Sequence, residues 1–304
     1  MKTPAPSRKT ILLTLGLLLF LRPCQGADTP RVPSKNAEPL LWIIRDQDST
    51  VYLYGTIHLR RKGGDWGGPK AKAALAASQR VWTEVLFDPA EENAAAQSML
   101  ALGVDPTRKL SEKISPAKKE RLTEVAKTLG IPIEGIEPMR PWLAGIQLAM
   151  GSLVRSGYDP ALGVDRLLDA EARKASKARH GLESAKEQIQ MIAGLGDSTQ
   201  IELLDQTLTE FQKGPQFFGQ LEADWEQGRE DKLAAVGEET KNSYPELYKV
   251  LLVERNRRWA EKIQEILAGS GVDFIAVGTM HLVGPDSVQR MLESQQVRAR
   301  RLSP

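Results

Sequence analysis

Gly55-Thr56-Ile57-His58-Leu59 and Gly278-Thr279-Met280-His281-Leu282 are one phrase written twice, with an apolar residue varied in the middle. Each copy closes a run of strand-forming residues, Val51-Tyr52-Leu53-Tyr54 before the first and Phe274-Ile275-Ala276-Val277 before the second. Both histidines are therefore expected just past the carboxyl end of a strand. In open α/β sheets that edge is where ligands bind. A strand-to-helix turn has use for the glycine but none for an imidazole, so the repeated histidine reads as part of one shared site.

Working outward, residues 40–44 and 51–54 flank Asp46-Gln47-Asp48-Ser49, a turn-forming cluster, and predict a β-hairpin. After His58 comes a glycine-rich loop, then a helix over 69–79 with proline at its first turn. A strand over 80–87 follows, carrying Glu84 in its middle. Strand, helix and strand in this order form a βαβ unit whose strands share a sheet. From 88 to about 175 the pattern is helical, with helices at 115 onward, 141–155 and 163–174. A short strand over 178–182 precedes Glu183, and helices resume from Ser184 to about 262, broken at Gly194, Gly196, Gly214-Pro215 and Pro245. The last strand, 272–277, delivers His281; a closing helix (284–294) and a strand-like 297–302 end the chain. The expected fold class is α/β, a small mixed sheet with an N-terminal β-hairpin, surrounded by many helices.

Composition narrows the function. Of 304 residues, 41% are hydrophobic and 26% charged, which is globular material. Residues 1–26 read as a secretory signal: Lys2, Arg8 and Lys9 precede an apolar run over 11–21, with cleavage after Gly26. That run is about half the roughly 20 residues a membrane-spanning helix needs, so no span is expected in the mature chain. Lipidation at Cys24 and an uncleaved anchor are the competing readings. Residues 27–38, polar and proline-bearing, read as a disordered leader. Cleavage removes four basic residues and no acidic ones, so 41 basic residues become 37 against 39 acidic. The mature charge is slightly negative, with no basic block suited to nucleic acid. The one cysteine leaves with the signal, which excludes disulfides, a cysteine nucleophile and a thiolate metal site. The expected location is exported, most simply periplasmic.

Two histidines at strand ends with a carboxylate form the minimum of an open divalent-metal site. Glu84 is the best third member, because Val81-Trp82-Thr83-Glu84-Val85-Leu86-Phe87 is too apolar to bury an unpartnered charge. Glu183 stands at a strand-to-helix junction capped by Ser184, where it reads equally well as a site carboxylate or as a helix-end residue. His180 follows three basic residues within seven positions and reads as a solvated loop histidine. Arg255 and Asn256 lie on a helical stretch, where the arginine could hold an oxyanion; taken alone, they read as a charged face with Leu251, Leu252 and Trp259 packed inward. No nucleophile elbow, phosphate loop, dinucleotide fingerprint or HExxH helix is present.

The ordered set of Gly55 to His58, Glu84, Gly181-Leu182-Glu183 with Gln188, Arg255-Asn256, and Gly278 to His281 resembles the TraB/GumN family, which includes the animal Tiki proteins. The resemblance spans residues 39–304, with 88–175 as a helical insertion. It implies a fold like that of erythromycin esterase and haem-binding ChaN-like proteins. For Tiki relatives it also implies a metal-dependent peptidase. Under it His58 and His281 become metal ligands or catalytic groups, Glu84 a ligand or general base, and Glu183 and Arg255 supporting catalytic residues. The expected cofactor is a divalent metal (Mn, Co or Zn), and the expected partner a peptide or small-molecule substrate. Two rival expectations stand beside this one: metal-independent, esterase-like hydrolysis, and a non-catalytic binder of haem, metal or peptide.

Overall fold

The computed structural model describes residues 37–302 apart from Gly64, so the signal segment and the leader up to residue 36 lie outside the described residues. The strands are β1 (Leu41–Arg45), β2 (Ser49–Thr56), β3 (Arg60–Arg61), β4 (Arg80–Thr83), β5 (Tyr158–Asp159), β6 (Ala178–Gly181), β7 (Gly271–Gly278) and β8 (Arg300–Arg301). The first helices are α1 (Pro69–Ala77), α2 (Pro89–Gly103), α3 (Pro116–Leu129), α4 (Ile133–Ile136), α5 (Pro141–Arg155) and α6 (Val164–Lys174). They are followed by α7 (Ala185–Ala193), α8 (Asp197–Lys213), α9 (Pro215–Glu226), α10 (Glu230–Ser243), α11 (Pro245–Tyr248), α12 (Glu254–Leu267) and α13 (Val288–Ser294).

The expected hairpin forms between β1 and β2, from Leu41 opposite Tyr54 to Arg45 opposite Thr50. Asp46 closes it, its Oδ1 accepting the Asp48 and Ser49 amides, as an aspartate-led turn should. Six strands share one mixed sheet in the order β6-β4-β7-β2-β1-β8. Four adjacent strands, β6, β4, β7 and β2, are mutually parallel. Their carboxyl ends therefore lie along one edge. The β2-α1-β4 segment is the expected βαβ unit, with β7 inserted between its strands.

Because β7 is central, both its faces are covered and its sequence is a continuous apolar run rather than an alternating one. Phe274 and Ala276 pack with Leu41, Tyr54 and Val81 against α1 and α6. Ile275 and Val277 pack with Trp42, Ile44 and Leu53 against α12 and α13. Phe274, Ile275 and Val277 each contribute about 1.5–3 kcal/mol on burial, so this one strand is a large share of the core. Amphipathic spacing orients the covering helices: Val164, Leu168 and Ala172 face the sheet from α6, and Trp259, Ile263 and Ile266 from α12.

The remaining helices build a second body beside the strand ends. There α2 packs on α7 and α5 on α8, so the segment 88–175 and the helices after β6 share one core. Trp142, Ile146, Ile189, Leu203 and Leu251 are buried together there, and Leu59, one residue beyond His58, joins them. Ser115 caps α3 and Gly130 ends it at φ +70°, in the left-handed region that favours glycine.

Three expectations are corrected. β4 ends at Thr83, so Glu84 is not mid-strand but the first residue beyond it. His180 is not in a loop; it lies on edge strand β6 and stacks on Trp82 with ring centroids 4.4 Å apart. Ala37 and Glu38, read as the end of the leader, belong to the fold: Ala37 is buried and the Glu38 amide donates to the Glu226 carbonyl.

Candidate functional site

Each of the four parallel strands hands one side chain to the same edge. β6 leads to Glu183, β4 to Glu84, β7 to His281 and β2 to His58, in that spatial order. None of the four side chains is more than 6% exposed.

The two imidazoles converge on one carboxylate oxygen. His58 Nε2 and His281 Nε2 each lie 3.8 Å from Glu84 Oε1. Glu84 is held in turn by the Gly278 amide, which donates to Oε1 at 2.8 Å. A side chain at 278 would crowd the site, since a Cβ there would lie 3.0 Å from His58 Nε2 and 3.1 Å from Glu84 Oε1 and force both to give. The glycine of the repeated phrase thus has a spatial reason in its second copy.

Each ring is anchored through its other nitrogen. His58 Nδ1 is 2.8 Å from Asp165 Oδ2, and the Thr56 hydroxyl donates to Asp165 Oδ1 at 2.6 Å. His281 Nδ1 pairs with Asn256 Oδ1, and its ring lies 4.3 Å from that of Trp259. Asn256 is fixed by donating from Nδ2 to the Asp286 carbonyl. Both Nε2 atoms are left to face the site.

The different anchors give the rings opposite electrostatics. Burial alone would lower the His58 pKa, but the charge and hydrogen bond of Asp165 outweigh it and the net shift is upward. Asp165 shows the counterpart: burial opposes its ionisation, and His58 and Thr56 overcome this to lower its pKa. His281 has no carboxylate anchor, so burial holds its pKa well below the usual histidine range, with the Arg255 charge pushing the same way.

Arg255, 2% exposed, ties the carboxylates together. Its Nη2 donates to Glu84 Oε2 and Glu183 Oε1, both at 2.5 Å, and its Nε donates to Glu183 Oε1 at 2.9 Å. Its Nη1 is 3.1 Å from His281 Nε2. Burial would depress its pKa, but the two carboxylates outweigh it and hold the guanidinium charged. Gln188 donates to Glu183 Oε1 at 2.8 Å and to Glu84 Oε2 at 3.3 Å. Arg255 and Asn256 are therefore not an outward charged face: both lie on the buried side of α12 with Trp259. A π-helical stretch, Lys249–Val253, immediately precedes them, a local widening that recurs at functional sites.

Thus all five residues singled out from the sequence, His58, Glu84, Glu183, Arg255 and His281, come together. Glu84 faces the imidazoles, whereas Glu183 stands on the far side of Arg255. Asp165 is the participant the sequence reading missed. The signal was present, since Asp165, Leu168 and Ala172 share one face of α6 at helical spacing. Its delivery is built in: the Val164 amide donates to the Ile57 carbonyl, and a Cβ on Gly163 would lie 2.3 Å from the His58 carbonyl oxygen.

The donor types are those a divalent cation takes: two imidazole Nε2 atoms, each ring oriented by an anchored partner, and a carboxylate between them. Ligands about 2.1 Å from one ion at tetrahedral angles lie roughly 3.4 Å apart, so the 3.8 Å separations need only a small inward rotation. As they stand, no group of three or more His, Cys, Asp or Glu side chains among the described residues is arranged to hold a metal ion. Arg255 Nη1 would also have to leave His281 Nε2.

Residues 40–301 match the TraB/PrgY/gumN family, and the chain belongs to that family. It is similar to an uncharacterized protein of Treponema pallidum (strain Nichols), 22% identical over 302 residues, covering 94% of this chain and 90% of the relative. No solved structure matches the chain.

Proposed function

We propose that the protein is an exported, metal-dependent hydrolase, with a peptide as the substrate class that the resemblance to Tiki proteins suggests. The observation that carries this reading is the approach of both Nε2 atoms to one Glu84 oxygen, each ring anchored from behind. A divalent ion held by His58, His281 and Glu84 would supply a water with a pKa near neutrality and a polarised carbonyl. Whichever of Glu84 and Glu183 is not a ligand would accept the water's proton. Arg255, kept charged and aimed by Glu183 and Gln188, is the cation available to a developing oxyanion. Export rests on the basic and apolar pattern of residues 1–26; among the described residues no helix is long and apolar enough to cross a membrane.

The test is hydrolysis of peptide and ester libraries by the purified protein supplied with Mn²⁺, Co²⁺ or Zn²⁺, before and after exhaustive chelation. Cleavage that is lost on chelation and in both His58→Ala and His281→Ala supports the reading. Cleavage that survives both substitutions refutes it. The contact of Arg255 Nη1 with His281 Nε2 favours a second reading, metal-independent hydrolysis with His58 as a base backed by Asp165. That reading predicts activity that survives chelation but not His58→Ala.

A further inference from the structure

The two Gly-Thr-x-His phrases look equivalent in sequence but are not equivalent in space. In the first, the Thr56 hydroxyl donates to Asp165, and Asp165 takes His58 Nδ1. In the second, the Thr279 hydroxyl is buried without a hydrogen-bond partner among the described residues, and an amide, not a carboxylate, takes His281 Nδ1. The carboxylate behind His58 is 1% exposed, so it was removed from water to meet this ring and one hydroxyl. Its position is enforced rather than incidental. The two-residue β3–β5 ladder pairs Arg60 with Asp159 and Arg61 with Tyr158, stitching the chain just after His58 to the chain just before α6. The Val164 to Ile57 bond and the close approach at Gly163 complete that seam.

We propose that Asp165 is a positioning residue that holds His58 as its Nδ1-protonated tautomer, aiming the Nε2 lone pair at Glu84 and His281. Ionised, Asp165 can only accept hydrogen bonds. Thr56 supplies a donor to one oxygen, and His58 Nδ1–H must supply the donor to the other. With the proton committed there, the lone pair of the neutral ring has one place left, on Nε2. A carboxylate behind an imidazole also raises its basicity as a ligand, and loss of such an outer partner typically costs 10- to 100-fold in metal affinity. The tautomer claim stands on geometry alone, whereas its consequence for ion affinity rests on the metal reading above.

Nitrogen-15 NMR of the histidine side chains in metal-free protein, in alkaline buffer where His58 is neutral, reads the tautomer directly. The expected result is His58 with its proton on Nδ1 in the wild type, that preference lost in Asp165→Ala and restored in part by Asp165→Glu. A wild-type His58 protonated on Nε2 would overturn the proposal, and this readout needs no variant to fold. A parallel Mn²⁺ titration should show Asp165→Asn weakened about 10- to 100-fold; affinity equal to wild type would overturn the claimed effect on the ligand. Mn²⁺ binding to neither protein, with the tautomer as expected, would sink the metal reading and leave the role of Asp165 standing.

Discussion

Arg255→Met should be among the most damaging single substitutions in the chain, and for an electrostatic rather than a packing reason. Methionine replaces most of the stem but leaves Glu84, its side chain 1% exposed, without its guanidinium partner, and leaves Glu183, 6% exposed, with only the half-exposed Arg258 at 3.7 Å. Removing one partner of a buried pair costs about 3–5 kcal/mol, because the remaining charge is neither solvated nor paired. Against a total stability of roughly 5–15 kcal/mol, that is about a fifth or more of what holds the fold. For a domain of this size it corresponds to a fall in Tm of roughly 6–20 °C. Urea unfolding of wild type, Arg255→Met, Glu183→Gln and the double variant measures it. The double variant should recover part of the loss, since neutralising Glu183 removes one of the stranded charges. If Arg255→Met unfolds within about 1 kcal/mol of wild type, the cluster is not the buried charge network described here.

Three further outcomes follow from the same geometry. Gly278→Ala places a methyl 3.0 Å from His58 Nε2 and 3.1 Å from Glu84 Oε1, so hydrolysis should fall about 10- to 100-fold, with an unfolding midpoint far closer to wild type than that of Arg255→Met. Gly163→Ala directs its Cβ to within 2.3 Å of a backbone oxygen that cannot swing away; calorimetry should show a loss of about 1–3 kcal/mol or more. His180 has its pKa lowered from 6.5, first by burial. The unfolded chain therefore takes up the proton first as pH falls, so this contribution to stability is intact above pH 6.5 and is lost below it. Urea midpoints followed from neutral into mildly acidic buffer should decline less in His180→Gln than in wild type; equal slopes would refute the assignment.

The strand ends were legible because their signals are local. A β-rich run closed by glycine places His58 and His281, and Ser184 with Glu187 makes the expected cap after Glu183, each side chain bonding the other's backbone. The end of β4 was not legible, because strand length is set by partners. Its neighbours pair with it only as far as Thr83, although the apolar run continues to Phe87. Val85 and Phe87 instead form a small cluster of their own. Asp165 was obscured by a competing explanation, since an acid in the first turn of a helix is already favoured by the helix dipole. Arg255 and Asn256 were read as an exposed face by their charge and polarity. Their spacing from Leu252 and Trp259 places them on the buried stripe, and spacing proved the better guide. His180 was misplaced because its basic neighbours suggested solvent, while the Trp82 that covers it lies on another strand.

The central claim is that His58, His281 and Glu84 together hold one divalent cation. Elemental analysis of the purified protein, beside the His58→Ala/His281→Ala double variant, tests it most directly. The account predicts close to one equivalent of a divalent metal in the wild type and none in the double variant after identical dialysis. Equal metal content in the two, or an active wild type that retains none, would contradict it.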